Sequence, residues 1–455
     1  MLLRKWKATP MKYQGCDEAY SSAGGIPELI DLFSGCSIFE RLPLCIPDRK
    51  SNFSFNPIQF GLSLFAGFLK GYDCLDDLDQ LQYDPAVQQK LKEIPSSRTM
   101  GEFLRDFTQD QRKSFNDLLT DQSFEVREKL TKNQPVVIDI DSTSHVQRGK
   151  KIEGLAFNYK NEWCLDSLVA FDELGLCYGM ELRPGNTFSS DGAGEMIDRI
   201  FSRLKTIQSS KRKNYLRADS AFCNEETMRA CLQKDLIFTL TAHGNMLWEE
   251  KVAQGAVTDW KAWEYTAEEK KAAEKAKIKL PQIEVGSYQY TPSWAENIRL
   301  QVVVKRTWID KVSSTQPSSG WKYYAVLTNW NLFYGAQQDV IAFHQKRGNA
   351  ENFIREGKYG YDLKHFPCKK MNANHGYGLF ALLVHNFIRT IAILDNPNSP
   401  HYSKKIRIKY IFIPCRVIRT ARKWIIKIPN RNKKEVDRLT HVWTERFHSA
   451  LKKAA

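Results

Sequence analysis

An α/β fold is the class this 455-residue sequence predicts, on three observations. Pro135-Val-Val-Ile-Asp-Ile-Asp-Ser-Thr is an apolar run that passes into alternation, the pattern of a strand buried in a sheet. Asn214-Tyr-Leu-Arg-Ala-Asp-Ser-Ala-Phe and Asp235-Leu-Ile-Phe-Thr-Leu-Thr read the same way. Stretches of helical period lie among these strands, and strand-helix alternation of this kind builds a sheet covered by helices.

The elements follow in order. Residues 1–15 are basic and irregular, and a short-looped helical pattern runs from Gly25 to about Phe107. Within it Pro27-Glu-Leu-Ile-Asp-Leu-Phe has helical spacing, Pro57 opens a second helix, and Ser96 caps a third. Residues 1–125 form this helical N-terminal region, with DNA binding and plain packing both open to it. Residues 126–241 form the first part of the α/β core. Leu165 to Arg183 reads as two strands joined at Asp172-Glu-Leu-Gly, and Asn186 to Leu204 as a helix with Met196, Ile197, Ile200, Phe201 and Leu204 on its apolar stripe. A helix from Glu225 to Lys234 separates the last two strands of this part.

Residues 242–335 interrupt the core as a β-rich insertion with strands near Ile298–Arg306 and Lys322–Asn329 and a solvated Ala/Glu/Lys helix at 267–277. Its tryptophans (248, 260, 263, 294, 308, 321 and 330) are core residues for the most part, with one or two free to stack on unpaired bases. Residues 336–400 return to the core. They hold a helix from Phe343 to Lys358 and an apolar helix from Tyr377 to Leu394 that packs beneath it. Residues 401–455 are a basic C-terminal region with 16 Lys and Arg against 3 acids.

That tail supplies most of the net charge of +15, which points to a polyanionic partner, nucleic acid before an anionic membrane. No run of about 18 uncharged apolar residues exists, because His385, Asn386 and Arg389 break the longest one. The start, Met-Leu-Leu-Arg-Lys-Trp-Lys, lacks the apolar segment of a signal peptide, and a cytoplasmic, nucleoid-associated place is expected. The ten cysteines include no Cys-x-x-Cys pair and read as small buried residues. His365, Cys368 and His375 are the nearest approach to a zinc site, and packing is the preferred reading of them.

Three carboxylates carry the chemistry. Read as helix, Phe343–Lys358 places Arg347, Glu351, Arg355 and Lys358 on one stripe, with Phe343, Ala350, Phe353 and Ile354 mostly off it. One acid among three cations suits phosphate chemistry: the carboxylate takes a metal ion and the cations take the DNA backbone. A solvated i,i+4 salt-bridge helix explains the same spacing. Two upstream acids at strand ends, Asp141 and Asp219, tip the balance. Asp139 shares a strand face with Asp141 and competes with it for the first position. Three hard-oxygen donors can hold two divalent ions, Mg2+ first and Mn2+ second, as phosphodiester cleavage requires.

At these residues the sequence resembles the DDE transposases of bacterial insertion sequences, and most of all insertion sequence family 1380 within the family-4-like group. The text that carries the resemblance is Val137-Ile-Asp-Ile-Asp-Ser-Thr, Leu216-Arg-Ala-Asp-Ser-Ala-Phe and Arg347-Gly-Asn-Ala-Glu-Asn-Phe-Ile-Arg-Glu-Gly-Lys-Tyr-Gly. Arg347, Glu351 and Lys358 fit the group's Tyr-x2-Arg-x3-Glu-x6-Lys signature, and His344 stands where it has tyrosine. Tyr361-Asp-Leu-Lys-His-Phe-Pro-Cys-Lys-Lys and Gly71 to Phe103 extend the likeness, which spans residues 25 to 430.

The resemblance implies a ribonuclease-H-like core, a β-rich insertion between the second and third acids, and cut-and-paste transposition by hydrolysis and strand transfer. It implies Asp141, Asp219 and Glu351 as metal ligands and Arg347 and Lys358 as phosphate contacts. Its partners would be double-stranded DNA with terminal inverted repeats and a second copy of the chain on that DNA. A tryptophan of the insertion would hold a base flipped from a hairpin end. The competing readings are a metal-dependent endonuclease without strand transfer and a retired DNA-binding protein; a membrane-surface protein stands third.

Overall fold

The computed structural model describes residues 12–49, 55–149, 151–208, 212–310, 319–332, 336–421 and 423–448. The first eleven residues, read above as basic and without a leader, lie outside them, as do Arg422, Lys452 and Lys453 of the basic tail. The fold is mixed α/β. Its main sheet contains β1 (Val137–Val146), β2 (Trp163–Asp172), β3 (Cys177–Pro184), β4 (Tyr215–Ala218), β5 (Ile237–Thr241), β6 (Ile283–Tyr290), β7 (Leu300–Ile309) and β8 (Gly320–Thr328). Two short pieces, Ala156–Phe157 and Lys261–Ala262, complete it to ten strands.

The order across the sheet is β3-β2-β1-β4-β5-β8-β7-β6. β1, β2 and β3 are antiparallel, and β4 and β5 run parallel to β1. The strands of the 242–335 stretch do not form a separate body. β8 pairs antiparallel with β5 through Val326–Thr241, Leu327–Leu240 and Thr328–Thr239, so the insertion continues the core sheet.

On the N-terminal side, α1 (Ile26–Ser34), α2 (Pro57–Lys70) and α3 (Ser97–Arg105) form where the sequence places them. Asn56 and Gln59 cap α2 reciprocally, with Pro57 in the first turn, and the Ser96 hydroxyl accepts from the Thr99 N–H at 3.3 Å. These helices stack on one another, Phe33 on Phe65 at 4.2 Å and Phe60 on Phe103 at 4.3 Å, and meet α9 (Met371–Asp395) where Phe33 and Phe65 stand edge-on to Phe387 at 5.7 and 5.1 Å. α9 is long and apolar enough to cross a membrane, and 94% of its apolar window is buried in the protein. It packs under the sheet, as expected.

A 23-residue helix, α4 (Gln109–Thr131), spans the 125/126 boundary and reads as polar in sequence. Its Asn116, Thr120 and Ser123 side chains bond the Met180, Tyr178 and Cys177 carbonyls of β3 at 3.1, 2.8 and 2.6 Å. Asn386 of α9 bonds the Cys177 N–H at 2.7 Å. β3 is an edge strand, so these side chains satisfy backbone groups that would otherwise invite another strand.

α5 (Ala193–Ile207) and α6 (Glu225–Gln233) cover the sheet beside α4. The expected stripe Met196, Ile197, Ile200, Phe201 and Leu204 is buried, but α5 starts seven residues later than the Asn186 expected. Gly192, with φ 77°, holds the left-handed turn that precedes it.

The start of the helical region meets the C-terminal region: Gly24 and Gly25 donate backbone N–H groups to Ile413 and Ile411 at 2.9 and 3.3 Å. A Cβ on Gly25 would lie 1.7 Å from the Tyr410 carbonyl oxygen. Gly25→Ala is therefore expected to destabilise the protein by about 1–3 kcal/mol. A urea titration reads this, and an unchanged midpoint would show that α1 shifts freely.

Candidate active site

Parallel pairing of β1 with β4 sets the site. Val137, Ile138 and Asp139 pair with Tyr215, Leu216 and Arg217. Asp141 and Asp219 each lie two residues beyond that last pair, close enough for the Asp219 charge to act on Asp141. Asp219 caps a short turn, Ser220–Phe222, by accepting the Ala221 N–H at 2.9 Å.

Asp139 does not face the same partners. It is 2% exposed and held by Arg217 at 2.6 and 2.7 Å, while Arg217 also donates to the Phe343 carbonyl at 2.9 Å. Burial pushes its carboxyl up to about 6 even so. This ion pair, rather than any ligand, explains the first acid of Asp-x-Asp.

The helix expected over Phe343–Lys358 is two helices. α7 (Gln337–Gln345) ends at Lys346, and α8 (Gly348–Gly360) begins after Arg347. Tight i,i+3 bonds turn the chain: Arg347 N–H to His344 at 2.9 Å and Ala350 N–H to Arg347 at 2.9 Å. Gly348 is a poor helix former, and His344 pins α7 to β5. Its ring nitrogens meet Thr239 Oγ1 at 2.9 Å and Thr241 Oγ1 at 3.0 Å. Burial, then the charges of Arg347 and Arg217, lowers this histidine to about 3, so it stays neutral. Ala350 and Phe353 are buried as expected, and Phe343 and Ile354 are half-buried.

The break leaves the cation-acid stripe usable but unequal. Arg347 reaches back to Asp141 Oδ2 at 3.2 Å and forward to Glu351 Oε1 at 3.5 Å, bridging two of the three acids. Asp141 keeps its other oxygen on the Ser142 N–H at 2.9 Å. Burial raises the Asp141 carboxyl to about 6; Arg347 opposes this, and Asp219 and Glu351 add to it. Glu351 is open to solvent at 65%. Lys358 is half-buried and donates to the Ser144 carbonyl at 2.6 Å, and burial lowers its pKa. Arg355 faces solvent and bonds Asn352 at 2.8 Å.

The donor set fits a divalent ion in its chemistry. All three side chains are hard carboxylates, and a buried acid whose like-charged neighbours raise its pKa is relieved by a second positive charge. Their closure is incomplete here. Among the described residues, the group of possible ligand atoms lying mutually within 4.8 Å is Asp73, Cys74 and Asp77, not these three.

Sequence reasoning missed Tyr324. Its hydroxyl lies 3.2 Å from Thr241 Oγ1, and the charges of Arg347 and Asp219 act on it. It comes from β8, so no local pattern links it to the site. The insertion tryptophans serve structure in several cases: Trp260 and Trp321 sandwich Arg306 at 4.0 and 4.5 Å, and Trp294 covers Arg229 at 4.4 Å. Trp308 is 37% exposed. His375 bonds the Met180 carbonyl at 2.9 Å and His365 meets Asp362 at 3.2 Å, so neither joins Cys368 in a zinc centre.

In the tail, Arg407 is buried and clamps the Leu69, Phe68 and Gly360 carbonyls at 2.9, 2.8 and 2.7 Å. The hairpin β9 (Cys415–Thr420) and β10 (Lys423–Lys427) instead places Arg416 opposite Lys427.

A family model described as transposase DDE domain, group 1, matches residues 5–446. No curated protein matches the chain.

Proposed function

Because the chain belongs to the DDE transposase family, we propose that it excises the ends of a bacterial insertion sequence and joins them to new DNA. As a transposase it is a metal-dependent enzyme that cleaves DNA. We place it with insertion sequence family 1380, on a ribonuclease-H-like core. The sheet order β3-β2-β1-β4-β5, antiparallel then parallel, supports that core.

The observation that carries the site assignment is the β1–β4 register, which sets Asp141 beside Asp219 with Glu351 tied in through Arg347. Asp141, Asp219 and Glu351 would hold two divalent ions, Mg2+ by the hardness of the donors. Bound there, the ions would activate the attacking oxygen and stabilise the leaving one in each phosphodiester exchange. Arg347 at the start of α8, and Arg355 and Lys358 along it, would bind backbone phosphates, orienting the strand. Arg347, paired with Asp141 at 3.2 Å, would be free to turn to a phosphate wherever Asp141 is engaged as a ligand.

The β9–β10 hairpin supports a second DNA contact. Arg416 and Lys427 lie directly across from each other, an arrangement that repels without an anion, although Glu18 partly offsets it through Arg416. Two terminal inverted repeats held by two copies of the chain, in the bacterial cytoplasm, complete the reading.

The test is labelled DNA carrying the native element ends, incubated with Mg2+. Cut and joined products are expected, and neither with a chelator present. Cutting without joining favours the endonuclease reading, and binding without cutting the retired DNA-binding one.

A further inference from the structure

The carboxylates have a neighbour on the β2–β3 side of the sheet. A groove of 530 Å3 opens there, floored by Ser142, Thr143 and Ser144 and bounded by Lys358. Three rings stand on its rim in water: Phe157 is 58% exposed, Tyr159 87% and Phe188 78%. Large rings this open are costly when nothing covers them. Phe188 lies in the turn before α5, its carbonyl accepting the Asp191 N–H at 3.1 Å. Lys160 adds a cation to the rim, its ammonium 5.4 Å from the Tyr159 ring.

We propose that this groove holds unpaired nucleotides of the DNA strand being cut, the bases on Phe157, Tyr159 and Phe188 and the phosphates on Lys160 and Lys358. The inference rests on the transposase reading and adds a strand path to it. Rings offer stacking to any base face, but only to bases not already stacked in a duplex. Cations and hydroxyls along the floor suit a phosphate backbone and not an apolar peptide. Asp166, the acid that lines the groove, is paired with Arg183 at 2.8 Å, and Glu162 beside it lies in the field of Lys160 and Lys358. Continuity fixes the occupant: Ser142 follows Asp141 in β1, and Lys358 shares α8 with Glu351. A strand whose phosphate sits at the acids therefore reaches the rings within a few nucleotides. The insertion lies across β5, on the other side of the acids, so this path is distinct from any tryptophan there.

The experiment compares full-length wild type with the triple variant Phe157→Ala/Tyr159→Ala/Phe188→Ala. Fluorescence anisotropy reads binding to a blunt duplex and to the same duplex with about four unpaired nucleotides, one of them 2-aminopurine. Wild type should bind the tailed DNA more tightly and quench its probe. The variant should lose about ten-fold or more of the tailed affinity, abolish the quenching and bind blunt DNA unchanged. Tyr159 and Phe188 are exposed and Phe157 packs only one side against Trp163 at 4.8 Å, so unchanged blunt-duplex binding marks a folded variant. Equal tailed affinity in variant and wild type, or quenching that survives in the variant, overturns the groove. Wild type that binds blunt and tailed DNA alike overturns the groove and leaves the transposase reading standing. Wild type that binds neither overturns both.

Discussion

Asp141→Asn is expected to cut DNA slower than wild type by on the order of 10^3-fold or more while still binding it. The change keeps shape and removes the charge that a metal needs. Its effect on stability should run the other way. Asp141 is only 15% exposed, and burial and two neighbouring acids already raise its carboxyl to about 6. Removing the charge relieves that cost, and Arg347 keeps Glu351 as a partner. A lost reaction with an unchanged or higher melting temperature is thus the expected pair of results, read by gel assay and thermal melt. Glu351→Gln should lose the reaction equally. Cutting at the wild-type rate in either variant would remove that residue from the metal site.

Arg217→Met is expected to destabilise the protein by about 3–5 kcal/mol, because it strands Asp139 as a buried carboxylate without a cation. Asp139 and Arg217 are each 2% exposed or less, and they join adjacent strands in register. The double variant Asp139→Leu/Arg217→Met should recover most of the loss, since apolar replacement of a buried pair is often close to neutral. Urea unfolding distinguishes the two. A single variant as stable as wild type would mean that this pair does not hold β1 to β4.

Much of this was legible in the chain. β1, β4 and β5 follow from buried apolar runs, and the acids at 141 and 219 stand out because a charge there demands an explanation. The role of Asp139 was less legible. Only the neighbouring strand, with Arg217 two residues before Asp219, distinguishes a structural pair from a ligand. α4 was missed because polar residues do the work that apolar ones usually do. Asn116, Thr120 and Ser123 are buried against β3 carbonyls, which blurs the hydrophobic period. The single helix read over Phe343–Lys358 breaks at Arg347 because His344 is clamped to Thr239 and Thr241, a contact across more than a hundred residues. Tertiary anchoring outweighed helical spacing there.

The join between β5 and β8 has a mechanical consequence. A stretch attached by loops alone swings on hinges, and force applied to it is dissipated in the linkers. Here three residue pairs weld β8 to β5, and β5 lies one strand from Asp219. β6 and β7 are joined to the carboxylate-bearing strands by a continuous hydrogen-bonded ladder through β8 and β5. The strands of the stretch from 242 to 335 can therefore move away from the core only by breaking the pairing of β8 with β5.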